Sequence, residues 1–137
     1  MVSLKQFATI LFLFVLAGCS PQSKRAKIIG SWEIIPSKNM QEMQSRAAAL
    51  GLPFNKIVLR FKRDSSMQSV TKDGNKEIKT NSGTYAMSEN ERELYIYREG
   101  NQDRKNTAGI IEITSSKMIL TDASGSGDTM HLKKINE

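Results

Sequence analysis

The sequence predicts a mainly β domain, a small antiparallel up-and-down barrel of about eight to nine strands with one helix between the first two strands. Three observations carry that expectation. Beyond Pro53 the apolar residues recur at every second position in short runs. Groups of Gly, Asn, Asp and Ser separate those runs. A single stretch ahead of Pro53 carries helical spacing instead. Closure into a barrel is favoured over an open sheet because it leaves no unpaired edge strand.

The fold is expected to begin near Lys27. Ile28, Trp32 and Ile34 share one face of the first strand, with Gly30 between them, while Ser31 and Glu33 point to the other. Ser37 is a good N-cap, and Met40, Met43, Ala47 and Leu50 stripe one side of a helix over about residues 38–50. Gly51 and Pro53 end it. Its narrow Met and Ala stripe suits an edge or a barrel mouth, and no other helix is expected in the mature chain.

Ile57, Leu59 and Phe61 then face one side, with Arg60 and Lys62 on the other. Residues 67–71 and 76–80 form a hairpin about Asp73-Gly74. Further strands are expected over 84–88, 93–98, 109–114, 117–121 and 129–135. They are separated by Asn81-Ser82-Gly83, Ser88-Glu89-Asn90, Gly100-Asn101, Ser115-Ser116 and the loop 123–128.

The chain opens with Lys5, an apolar run from Phe7 to Leu16 broken only by Thr9, and then Leu16-Ala17-Gly18-Cys19. The run has roughly half of the about 20 apolar residues a spanning helix needs, and small residues precede the cysteine. This segment resembles bacterial lipoprotein signals. The resemblance implies that residues 1–18 are removed and that the Cys19 thiolate accepts a diacylglyceryl group. Residues 19–26 would then be a lipidated tether and 27–137 one barrel domain. The membrane, reached through Cys19, is the expected partner of the tether, with Lys24, Arg25 and Lys27 against anionic headgroups. The expected location is the bacterial envelope, on the periplasmic side of an outer membrane. Ser20 lacks the retention Asp of inner-membrane lipoproteins, and the basic tether differs from surface-export signals.

Of the 20 basic residues Lys5 lies in the leader, so 19 against 14 acidic residues leave the mature chain at +5. That charge is scattered through strands and turns without base-stacking motifs, and no nucleic-acid partner is expected. Cys19 is the only cysteine and His131 the only histidine. No metal site, cofactor or disulfide is therefore expected. No Gly-x-Ser-x-Gly occurs, so no catalytic residue is assigned and the chain is not expected to be an enzyme.

Gly30-Ser31-Trp32 on the first strand, a following helix, consecutive hairpins and a last strand ending in Lys133-Lys134 resemble the lipocalin-like lipoproteins of Gram-negative bacteria. More distantly they resemble the intracellular fatty-acid-binding proteins. Gly83-Thr84-Tyr85 adds a second short match. The resemblance implies a barrel floor of Gly30 and Trp32 with Lys133 or Lys134 over the indole. It departs from the lipocalin pattern in having lysine instead of arginine there and no Thr-Asp-Tyr turn.

The inward set from periodicity is Ile28, Trp32, Ile34, Ile57, Leu59, Phe61, Tyr85, Met87, Leu94, Ile96, Ile111, Ile113, Met118, Leu120, Met130 and Leu132. A modest cavity near the helix end would be lined from these residues and Met43, and would take a small hydrophobic ligand. The alternative is a solid barrel whose outer face, through Tyr95 and Tyr97, grips an envelope protein or glycan.

Overall fold

The computed structural model describes residues 23–51, 55–122 and 127–137. The leader and Cys19 lie outside them. Helix α1 (Lys24–Lys27) precedes β1 (Gly30–Ile35), and α2 (Lys38–Ala49) follows it. Then come β2 (Lys56–Phe61), β3 (Ser66–Asp73), β4 (Lys76–Met87), β5 (Glu93–Arg98), β6 (Asn101–Ile113), β7 (Lys117–Asp122) and β8 (Thr129–Ile135). Each strand pairs antiparallel with the next, and β8 returns to β1, closing an eight-stranded barrel.

Three sequence expectations need correction here. The strands expected over 76–80 and 84–88 are one, β4 (Lys76–Met87), so Asn81-Ser82-Gly83 is not a turn. Those residues have turn chemistry, but β3 pairs with them from Ser66 to Asp73 and holds them extended. Strand β6 likewise starts at Asn101, well ahead of its apolar part. The tether also holds a helix: Ser23 caps α1 by accepting from the Ala26 amide.

Helix α2 runs nearly as its spacing predicts, with the Ser37 hydroxyl accepting from the Met40 amide. It links the mouth ends of β1 and β2. None of its residues is buried, and its methionine face stays open to solvent.

The core fills the opposite, floor end. Ile28, Trp32, Phe61, Met67, Leu94, Ile110, Ile113, Met118, Leu120 and Leu132 form one buried cluster. Strand alternation brings most of them inward, but β6 breaks step. A register shift between Ile110 and Glu112 turns Ile110 and Ile113 inward and leaves Ile111 outside, 54% exposed. On the outer face Val58 and Val70 are opposite each other and fully buried.

Candidate functional site

The floor is built from β1, β8 and α1. Trp32 is fully buried, and its indole N–H donates to the Ile28 carbonyl at 2.8 Å. Lys134 stands opposite Trp32 in the register, so its side chain also points inward. Its Nζ is 5.3 Å from the indole centroid and donates to the Lys27 carbonyl at 3.4 Å. Gly30 makes room for that crossing. Its φ is +135°, and a Cβ there would approach Lys134 Cε to 2.7 Å. Lys133, one residue earlier, faces outward and pairs with Glu33 at 3.0 Å, so it has no place at the floor.

Helix α1 seals the rim of that floor. Arg25 donates to the Ser88 carbonyl at 2.7 Å and pairs with Glu91, while Lys24 donates to the Glu91 carbonyl. Two of the cations expected against lipid are thereby engaged by the β4–β5 turn. Next to them Tyr85 donates to the Lys62 carbonyl at 2.7 Å and meets the Phe61 ring edge-on at 5.0 Å. Burial, with the Asp64 carboxylate second, pushes the Tyr85 hydroxyl above the usual phenol range.

Above the core the lumen is open. Strand β5 pairs with β4 only from Gly83 to Met87, so the mouth half of β4 has no partner on that side. Into the gap opens a cavity of about 750 Å³, a size ordinary for small-molecule sites. Leu59, Met67 and Ile96 form its apolar part, and Ser69, Asn81 and Asn106 line it at the middle. Lys79, Arg98 and Glu99 bring charge to its lip. A separate groove of about 240 Å³ runs between α2 and the barrel, past Ile35, Met40 and Ile57.

The cavity residues expected from the sequence divide into three groups. Leu59 and Ile96 line the cavity. Phe61, Leu94, Ile113, Met118 and Leu120 are closed into the core, with Tyr85 and Met87 packed against it. Met43, Ile111 and Met130 are 63%, 54% and 43% exposed and line neither this cavity nor the α2 groove. Met43 lies on the solvent side of α2, Ile111 is turned out by the bulge, and Met130 stays partly exposed although it stands opposite buried Leu120. The polar lining was missed because alternation is read from apolar residues alone. The signal available was the sheet register: Ser69 and Asn81 share a row with Leu59, and Asn106 faces Ile96.

The outer tyrosines also differ from expectation. Both are half-buried. Tyr95 is covered by Lys105, whose Nζ is 4.4 Å from the ring centroid, and it donates to Glu93 at 2.7 Å. That hydrogen bond raises the Tyr95 hydroxyl above the usual range. Tyr97 forms part of the cavity lip.

No group of three or more metal-ligating side chains occurs among the described residues. His131 is exposed, with its ring nitrogen 3.3 Å from the Thr129 hydroxyl.

A family model for a lipocalin-like domain matches residues 28–120. The chain belongs to the lipocalin-like family. Such domains are small-ligand-binding barrels and typically not enzymes. This lipocalin-like chain is also similar to a protein from Bacteroides uniformis ATCC 8492 solved by NMR. The TM-score is 0.58 at 17% identity, with 83% of this chain and 94% of that chain covered. The likeness is one of fold. No curated protein matches in sequence.

Proposed function

We propose that this lipocalin-like protein is a lipid-anchored carrier of the bacterial envelope whose upper lumen takes a small ligand with an apolar part. The cavity of about 750 Å³ carries the reading. A solid barrel acting only through its outer surface would not leave the upper half of its interior open, and of the tyrosine pair suggested for it the Tyr95 ring is covered by Lys105. The Leu16-Ala17-Gly18-Cys19 box supports anchoring, and the outer membrane facing the periplasm is the proposed address.

Anchoring has a geometric consequence. Three residues lie between Cys19 and Ser23, which caps α1 at the floor. At about 3.5 Å per step the four steps from Cys19 to Ser23 reach at most roughly 14 Å. The floor would face the membrane and the mouth would open away from it, toward the aqueous side.

Two measurements test the proposal. Native mass spectrometry of the protein from its own membrane should reveal a co-purifying small molecule, and N-phenyl-1-naphthylamine should bind and be displaced by apolar compounds. Failure of both would reject the carrier. Independently, Cys19→Ala should release the protein from the membrane fraction, and unchanged membrane association would reject the anchor.

A further inference from the structure

We infer that Met40 is an oxidant-responsive latch: two-electron oxidation of its thioether to the sulfoxide by a peroxide frees helix α2 from the barrel. The site is the groove under α2, and it stands whether or not the lumen carries a ligand.

The groove exists because β1 and β2 separate at the mouth. Their ladder runs from the Gly30–Phe61 pair to the Glu33–Val58 pair and ends there among the described residues. Beyond it Ile34 and Ile35 pair with β8, and Lys56 and Ile57 with β3. Helix α2 spans the split, and from it Met40 and Gln44 line the groove of about 240 Å³ against Ile34, Ile35 and Ile57. Of those two, only Met40 is apolar.

Little else holds α2 in place. None of its residues is buried, and its polar fixings lie in the first turn, where Ser37 accepts from the Met40 amide and the Gln41 side chain donates to the Pro36 carbonyl at 3.2 Å. A free helix shorter than about 12–15 residues is marginal in water, and α2 has 12. Its persistence therefore leans on the contact of Met40 with Ile35 and Ile57, and a change at that one side chain reaches the whole helix.

Met40 is also reachable. Met67 and Met118 are closed into the core and Met87 packs against it, whereas Met40 is 38% exposed, open to a molecule the size of hydrogen peroxide. A sulfur lone pair attacks one peroxide oxygen, the S–O bond forms as the O–O bond breaks, and the departing oxygen takes up a proton and leaves as water. Sulfur is oxidised by two electrons and the peroxide is reduced by two. The sulfoxide oxygen, set between Ile35 and Ile57, faces hydrocarbon, and Lys56 and Lys133 at the groove are already paired with Glu33. The modified side chain therefore favours water, and α2 leaves with it. Met43 and Met130 are more exposed but lie outside the groove, so their oxidation leaves the helix where it is.

The test is a hydrogen peroxide titration of the purified full chain, followed by peptide mass mapping and by amide hydrogen exchange over 38–49. Oxygen taken up at Met43 and Met130 should leave that exchange unchanged. Once Met40 is oxidised, exchange there should rise roughly tenfold, as expected when one polar group is forced into an apolar contact. Met67 and Met118 should stay unmodified under the same conditions. Methionine sulfoxide reductases A and B together should reverse the rise, since each reduces one epimer. Met40→Leu should abolish it and Met43→Leu should preserve it. Unchanged exchange with Met40 fully oxidised, a rise that persists in Met40→Leu, or a Met40 as slow to react as Met118 overturns the latch. Should Met40→Leu itself loosen α2, the wild-type chain decides, because exchange that stays fast after complete enzymatic reduction overturns it equally.

Discussion

Glu137 is held on the outside of the barrel by a charge cluster that makes stability depend on acid in a calculable way. Arg60 Nε donates to Glu137 at 2.8 and 3.1 Å, its Nη2 reaches both Glu137 and Glu77, and Lys72 stands 3.5 Å away. The Arg60 hydrogen bonds, with help from Ser31 and against partial desolvation, lower the Glu137 carboxyl from 4.5 to about 2. A shift of that size corresponds to roughly 3 kcal/mol at about 1.4 kcal/mol per unit. The side chains of Arg60 and Glu137 are 21% and 24% exposed, and screening at such partly wet sites reduces the figure to about 1–2 kcal/mol. Because the folded value lies below the ordinary one, the stabilisation is complete above about pH 4.5 and disappears as pH falls toward 2. Glu137→Gln should therefore lower the urea midpoint at pH 7 by about 1 M, for a slope of about 1–2 kcal/mol/M. Trp32, the only tryptophan, reports the transition. The gap between wild type and variant should close as pH approaches 2. A gap absent at pH 7, or undiminished at pH 2, refutes the clamp.

Three further outcomes follow from the packing. Lys134→Met removes the cation over the indole and should cost about 0.5–2 kcal/mol with a change in Trp32 emission; identical emission and midpoint would rule out the contact. Gly83→Ala places a methyl group against the Tyr97 carbonyl, so β4 and β5 must part, and a loss of about 1–3 kcal/mol in urea unfolding is expected. A neutral substitution there would mean that the strands do not approach so closely. Met43→Ser, on the open face of α2, should shift stability by no more than about 0.5 kcal/mol and leave naphthylamine binding intact, and weakened binding would return the helix to the site.

The fold class was legible because it depends on periodicity, and pairs of inward apolar residues two positions apart survive in β2 (Leu59 and Phe61), β5 (Leu94 and Ile96), β7 (Met118 and Leu120) and β8 (Met130 and Leu132). The floor was partly legible: Gly30, Trp32 and a lysine of the last strand come together, but only the alternation of β8 relative to β1 decides between Lys133 and Lys134. Ile111 could not be placed, because a bulge is a property of two paired strands and leaves no mark in either alone. The middle of β4 and the mouth half of β6 were illegible for another reason. Residues such as Asn81, Ser82 and Asn106 favour turns locally, and only pairing with β3 and β5 makes them strand.

That illegibility and the cavity have one physical origin. An inward row made of Leu, Ile, Met and Phe collapses into a dry core, since each methylene withdrawn from water is favourable, and the floor half of the barrel has done so. Ser69, Asn81 and Asn106 cannot follow, because closing the wall around them would strand amide and hydroxyl groups without partners. Strands β4 and β5 therefore stay apart above Gly83 and Arg98, and β4 keeps a free edge toward β5. The polar residues that hide the strands from a reading of the sequence are the ones that keep the lumen open. Replacing Asn81 and Asn106 together by leucine should reverse both properties. The barrel should gain thermal stability as its upper half fills, and it should lose naphthylamine binding. A double variant that binds as before would show that the lining has no part in holding the lumen open.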